Sequence, residues 1–140
     1  MAGFAFRFRE SGSAPTIRKL YAKDDETLTK GDIINVETGE ADLAVSGDTA
    51  LIGGCVETKA HTDSTTQTEV IVDDDAVYGV VDANARKIGA TLDLSGATGA
   101  QTVTTSSNKD FVVVCDSSAT EETLVRVNPN RHALSGTAIA

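Results

Sequence analysis

At 140 residues, with 40% hydrophobic and 24% charged residues, the chain is long enough to bury one core and too apolar to be disordered overall. It has no Trp, two Pro and 12 Gly, and its weight in Thr, Val, Ala and Asp suits pleated strands joined by turns, which argues for an all-β fold. The net charge of −9 splits into +4 over residues 1–23 (Arg7, Arg9, Arg18, Lys19 and Lys23 against Glu10) and −13 over the rest (7 basic, 20 acidic), a body too acidic to have nucleic acid as its main partner.

The chain begins with "FAFRFRE" at residues 4–10, which holds three of its four phenylalanines. Aromatics precede arginines there, the reverse of a secretory signal, and no apolar run approaches membrane length, so no membrane is expected. Residues 1–15 read as an extended N-terminal arm, hinged by "SGSAP" at 11–15. Phe4, Phe6, Arg7, Phe8 and Arg9 are its candidate partner-binding residues. Burying three Phe rings contributes about 2–3 kcal/mol each, before ordering costs. The same alternation also suits the first strand of the protein's own sheet, or a strand swapped onto a neighbouring protomer.

Residues 16–130 read as the β-body, with a C-terminal tail at 131–140. Strand-like runs appear at "TIRKLYA" (16–22), "DIINVE" (32–37), "DLAVS" (42–46) and "ALIGGCVE" (50–57), whose Gly53-Gly54 pair suggests a bulge or close backbone approach. "TKAHTDSTTQ" (58–67) reads as an exposed loop. "TEVIV" (68–72) and "AVYGVV" (76–81) flank "DDD" as a hairpin. "ATLDLS" (90–95) alternates, "TVTT" is a weak strand, "FVVVC" (111–115) is a central strand, and "ETLVRVN" (122–128) alternates again. About eight short strands with turn residues between them indicate an antiparallel sandwich or barrel, and no ten-residue helix is expected.

Chemistry finds little to work with. His61 and His132 read as solvated loop residues without a nucleophile motif around them. Cys55 and Cys115 sit beside Val, lack a C-x-x-C spacing, and read as free thiols in buried strands. "DDD" (73–75) and "DDET" (24–27) lack the spacing of a Ca²⁺ loop and read as turns with solvated carboxylates. Tyr78 and Asp82 in "AVYGVVDANAR" are the residues on which a small trimeric β-fold nucleotide hydrolase would have to rest. The expectation is therefore no enzyme, no cofactor, no metal and no small-molecule substrate.

The stretches "KGDIINVETGEADLAVSGDTALIGGCVET" and "AVYGVVDANARKIGATLDLSGATGAQTVTTSSNKDFVVVC" resemble the small capsid decoration (cement) proteins of tailed bacteriophages. An early x-G-D strand, an "IGATLDL" strand before a Gly/Ala/Thr loop, and a "DFVVV" strand carry the resemblance. It implies a compact β-barrel or β-tulip with extended termini, made in the host cytoplasm and carried on the outer surface of the virion. It also implies a homotrimer that stabilises the capsid by binding across seams between major capsid protein subunits, with the N-terminal arm as clamp. A tail or head-fibre component, or a host-surface binding module, is the structural alternative.

Overall fold

Thr, Val and Ile in short runs, cut by Gly and Asp every few residues, can only make short strands. In the computed structural model, which describes residues 3–23, 26–61, 66–105 and 107–134, thirteen such strands form. The protein is all-β. Every ladder is antiparallel, and the one helical element among the described residues is a 3-10 turn at Pro129–Arg131. The count exceeds the expected eight or so because Phe4–Arg9, read as part of an arm, is a strand and the three-residue β3 (Glu26–Leu28) and β7 (Lys59–His61) add to it, while β11 (Thr102–Thr104) and β12 (Phe111–Val113) are the expected "TVTT" and "FVVVC" runs.

The largest sheet has six strands, in the order β1 (Phe4–Arg9), β9 (Ala76–Val81), β13 (Glu122–Val127), β12, β10 (Thr91–Ser95), β11. "FVVVC" does lie inside this sheet, between β13 and β10. A three-stranded sheet of β5 (Glu40–Leu43), β4 (Ile33–Glu37) and β6 (Leu51–Gly54) forms another part of the body. Two ribbons complete it, β2 (Ile17–Tyr21) with β8 (Gln67–Ile71) and β3 with β7. Single bridges at Cys55–Val70 and Ala22–Ala41 join the first ribbon to the small sheet. No continuous ladder closes the strands into a barrel, so of the two architectures expected the sandwich is the one formed.

Neighbouring apolar residues explain the layering. Successive strand side chains point to opposite faces. Ile33, Leu51 and Ile71 accordingly enter a core shared with the six-stranded sheet. Their neighbours Ile34, Ile52 and Val70 enter a second core with Ala22, Leu28 and Ala41. The strands β4, β6 and β8 are thus apolar on both faces. The Gly53-Gly54 pair meets its expectation: the β4–β6 register shifts there, and a Cβ on Gly53 would strike the Ile71 carbonyl and the Tyr78 hydroxyl.

Residues 4–9 are not an arm outside the body. They form β1, paired along β9 from Phe4–Val80 to Arg9–Ala76. Phe4 is buried, with its ring stacked 5.1 Å from that of Phe111, and Phe6 meets Tyr78 edge-on at 6.2 Å. The Phe4 N–H donates to the Gly31 carbonyl, and the Gly3 N–H to that of Gln101. A β-bulge between Phe6 and Phe8 adds Arg7 to the strand and resets its alternation. Phe8 therefore faces outward, 45% exposed, instead of following Phe4 inward.

Other expectations need correction. "TEVIV" and "AVYGVV" are not a hairpin, because β8 pairs with β2 while β9 pairs with β1 and β13. Lys59–His61 of the expected loop is the strand β7, which places His61 in a strand, while residues 62–65 lie outside the described residues, as do Asp24 and Asp25 of "DDET". The start of the tail docks: Ala133 is buried and its N–H donates to the Leu51 carbonyl, while residues 135–140 lie outside the described residues. His132 is fully buried, not solvated. Cys55 is buried and Cys115 exposed, and both are free thiols.

Phe4→Ala is expected to lower unfolding free energy by about 3–4 kcal/mol, the usual cost of emptying a core Phe site. Phe8→Ala should cost under about 1 kcal/mol, as surface changes do. Urea denaturation of both variants checks this, and equal small losses would return residues 4–9 to the status of an arm.

Candidate partner-binding groove

Because β1 is the edge of its sheet, its outer side past Phe4 pairs with no other strand among the described residues. Phe4 sends its N–H away from β9 to Gly31, so Phe6, two residues on, presents its own N–H and carbonyl on that same outer side. A groove of about 880 Å³ opens there. Ala5 and Phe6 of β1, Pro15 and Ile17, Lys30 and Val56, and Ile71 and Tyr78 are among the residues that line it. The lining is largely apolar. Two of its apolar lining residues are well exposed, Ile17 at 42% and Val81 at 61%.

One ion pair crosses the groove's rim. Arg7 Nε and Nη2 donate to the two carboxylate oxygens of Glu122 at 2.7 and 2.6 Å, a bidentate fork spanning from β1 to β13. Glu122 lies over Gly79 of the intervening strand, where any Cβ would collide with its carboxylate. Arg7 holds the Glu122 carboxyl below the usual range, chiefly through that hydrogen bond and against partial burial. Arg9 instead turns inward to Asp75, at 2.7 Å, and to Asp73, at 3.5 Å. Burial raises the Asp75 carboxyl, but Arg9 and the Ser11 N–H outweigh it and leave the carboxyl below its ordinary value. "DDD" is thus tied down by arginines, not a turn of freely solvated carboxylates.

Of the five residues expected to bind a partner, Phe6 and Arg7 line the groove with accessible surface, and Phe8 is exposed beside the bulge. Phe4 belongs to the core, and Arg9 is held at the surface by Asp73 and Asp75. Sequence reasoning missed Pro15, Ile17, Lys30 and Val81. The signal for Ile17 and Tyr21 was present in "TIRKLYA", where apolar residues occur at both parities, so that one face had to remain uncovered.

The motif residues that carry the family resemblance work as staples. Asp32 accepts from the Thr29 and Gly99 N–H groups and from the Thr98 hydroxyl. Asp93 accepts from the N–H groups of Asn108 and Lys109, and Asp110 accepts from those of Gly47 and Leu94. Gln101 bridges the backbone at Ile33 and Ala44. All four side chains are buried, and their N–H partners run from buried, at Ile33 and Leu94, to exposed, at Gly99 and Lys109.

The residues on which hydrolysis would rest are likewise engaged. Tyr78 is buried, its hydroxyl accepts from the Gly54 N–H, and burial pushes its pKa far up. Asp82 is buried in an ion pair with Arg86 and also accepts from the Asn84 amide. Burial lowers the His132 pKa below its ordinary 6.5. Among the described residues, no group of three or more His, Cys, Asp and Glu side chains is arranged to hold a metal ion. Nor is any helix among them long and apolar enough to cross a membrane.

No protein-family model matches the chain, and no curated protein matches it. The groove's geometry therefore has to carry the functional reading.

Glu122 and Asp75 ionise more readily in the fold than at their ordinary values of 4.5 and 3.8. Their stabilisation is present in full above those values and is lost as pH falls through the lower folded-state values. The double variant Glu122→Gln, Asp75→Asn should be less stable than the parent at pH 7, by about 1 kcal/mol or less per exposed pair. The gap should narrow steadily as pH falls below 4.5. Urea midpoints at pH 7 and through that acid range test this, and a gap that persists unchanged in acid would contradict the assignment.

Proposed function

We propose that the protein is a non-enzymatic structural component of a tailed-bacteriophage virion that decorates and stabilises the assembled capsid. It binds as a trimer across seams between major capsid protein subunits, on the outer face of the shell. The observation that carries this reading is the groove. It is an open, apolar trough along an unpaired strand edge, a form suited to holding another protein's chain. A net charge of −9 suits an exterior position away from packaged DNA. Three groove systems on one trimer would bind with avidity, so that modest affinity per copy suffices to clamp a seam.

The clamp differs in kind from a free arm. Phe4 anchors β1 in the core, so the partner meets a preformed surface and the ordering cost of a loose leader is avoided. Purified protein mixed with shells assembled from candidate phage major capsid proteins should co-sediment with its own shell at saturating stoichiometry and raise the temperature at which that shell opens. Unassembled capsid subunits should bind far more weakly. Shells that neither retain the protein nor gain heat resistance would refute the reading.

A further inference from the structure

Past the 3-10 turn at Pro129–Arg131, the described chain joins no strand ladder. His132 makes a single bridge with Leu51, and the Ala133 N–H donates to the Leu51 carbonyl at 2.6 Å. Ala133 enters the second core with Ile52 and Val72, while Leu134 is exposed. His132–Leu134 is therefore docked by a few contacts and can leave without breaking any ladder. At the centre of those contacts is a titratable ring. The His132 imidazole is fully buried, and its Nδ1 accepts from the Leu134 N–H at 3.1 Å. An imidazole nitrogen that accepts a hydrogen bond carries no proton. The docked segment is thus built around the neutral ring.

Groups on three other elements face that ring. Asp74 and Asp73, in the turn before β9, favour its protonation, as does the Ile52 carbonyl of β6, and Arg126 of β13 opposes it. These charges are partly committed already: Asp73 accepts from the Thr16 N–H and lies 3.5 Å from Arg9, and Arg126 reaches Glu10 and the Asp74 carbonyl. On the ring's own element, Arg131 donates to the Gly47 and Asn108 carbonyls. Burial outweighs the acidic neighbours and holds the His132 pKa below its ordinary 6.5. A proton on Nδ1 would set two N–H groups against each other and leave a cation out of water. Undocking relieves both. We propose that His132 is a proton-operated latch, which holds His132–Leu134 against β6 at neutral pH and releases that segment in mild acid while the sheets stay folded. Because the docked ring binds its proton less readily than a free one, docking is at full strength above pH 6.5 and weakens as pH falls toward the lower docked value. Release bares the Leu51 carbonyl and the site that Ala133 fills in the second core.

Amide hydrogen exchange on the full-length protein, read residue by residue by NMR and corrected for the intrinsic rate at each pH, tests this. The comparison is between pH 7.5 and pH 5, a window in which imidazoles are the side chains that chiefly titrate. Ala133 and Leu134 should lose protection by about tenfold or more on acidification, while the amides of β13 keep theirs. The variant His132→Asn offers an amide oxygen to the Leu134 N–H but takes up no proton, and should abolish the pH dependence. His61→Gln, which removes the chain's other imidazole, should leave it intact. In the parent, the His132 ring resonances should titrate with a midpoint below 6.5 and in step with the loss of protection. Protection at Ala133 and Leu134 that survives at pH 5 would overturn the latch, as would a midpoint at or above 6.5. So would an equal acid loss in His132→Asn. If that variant does not fold, the parent's own titration decides.

Discussion

Burial of β4, β6 and β8 on both faces is the constraint from which the rest of this fold follows. The loops around them stay at the surface, yet several of their N–H groups are held by buried side chains. The backbone groups of those loops need partners that neighbouring strands cannot reach. Asp32, Asp93, Asp110 and Gln101 are those partners. Each is a short polar side chain folded back on a tight loop, and each joins segments distant in sequence. Loss of Asp110 or of Gln101 would leave the buried N–H of Leu94 or of Ile33 unpaired, at about 1–3 kcal/mol per group.

The same constraint shapes the functional surface. With the middle layer saturated by the six-stranded sheet on one side and the ribbons on the other, what remains open is the seam where β1 runs past Pro15 and Ile17. Phe4 closes the inner end of that seam against Phe111, and the bulge at Arg7 turns the outer end away. Between them lies a stretch of unpaired strand edge. Sheet edges are ordinarily blunted with charge, often lysine, to prevent indiscriminate pairing.

The family resemblance acquires a physical meaning here. The x-G-D, "ATLDL" and "DFVVV" stretches quoted for it are where the buried aspartates sit, so the pattern records a solution for holding turns within a packed β-body. A motif of that kind speaks to fold. The groove's residues come from β1, the Pro15 turn, β2, the Lys30 turn and the end of β6, and share no motif.

Composition and periodicity by themselves determined the all-β class, the positions of most strands, the interior place of Phe111–Val113 and the close approach at Gly53-Gly54. These are local properties: β-branched runs pleat, and a missing side chain admits a neighbouring backbone. Only the tertiary structure decided that Phe4–Arg9 belongs to the sheet, because the strand it completes, Ala76–Val81, lies some seventy residues away and equally suits a hairpin partner. It also decided that Phe8 faces out, since a bulge inverts the alternation after Arg7 without changing a letter of the sequence. The burial of His132 and the bringing together of Lys30 with Ile17 have the same origin. They are contacts between distant segments, and a chain read in order records which residues are apolar but not which of them meet.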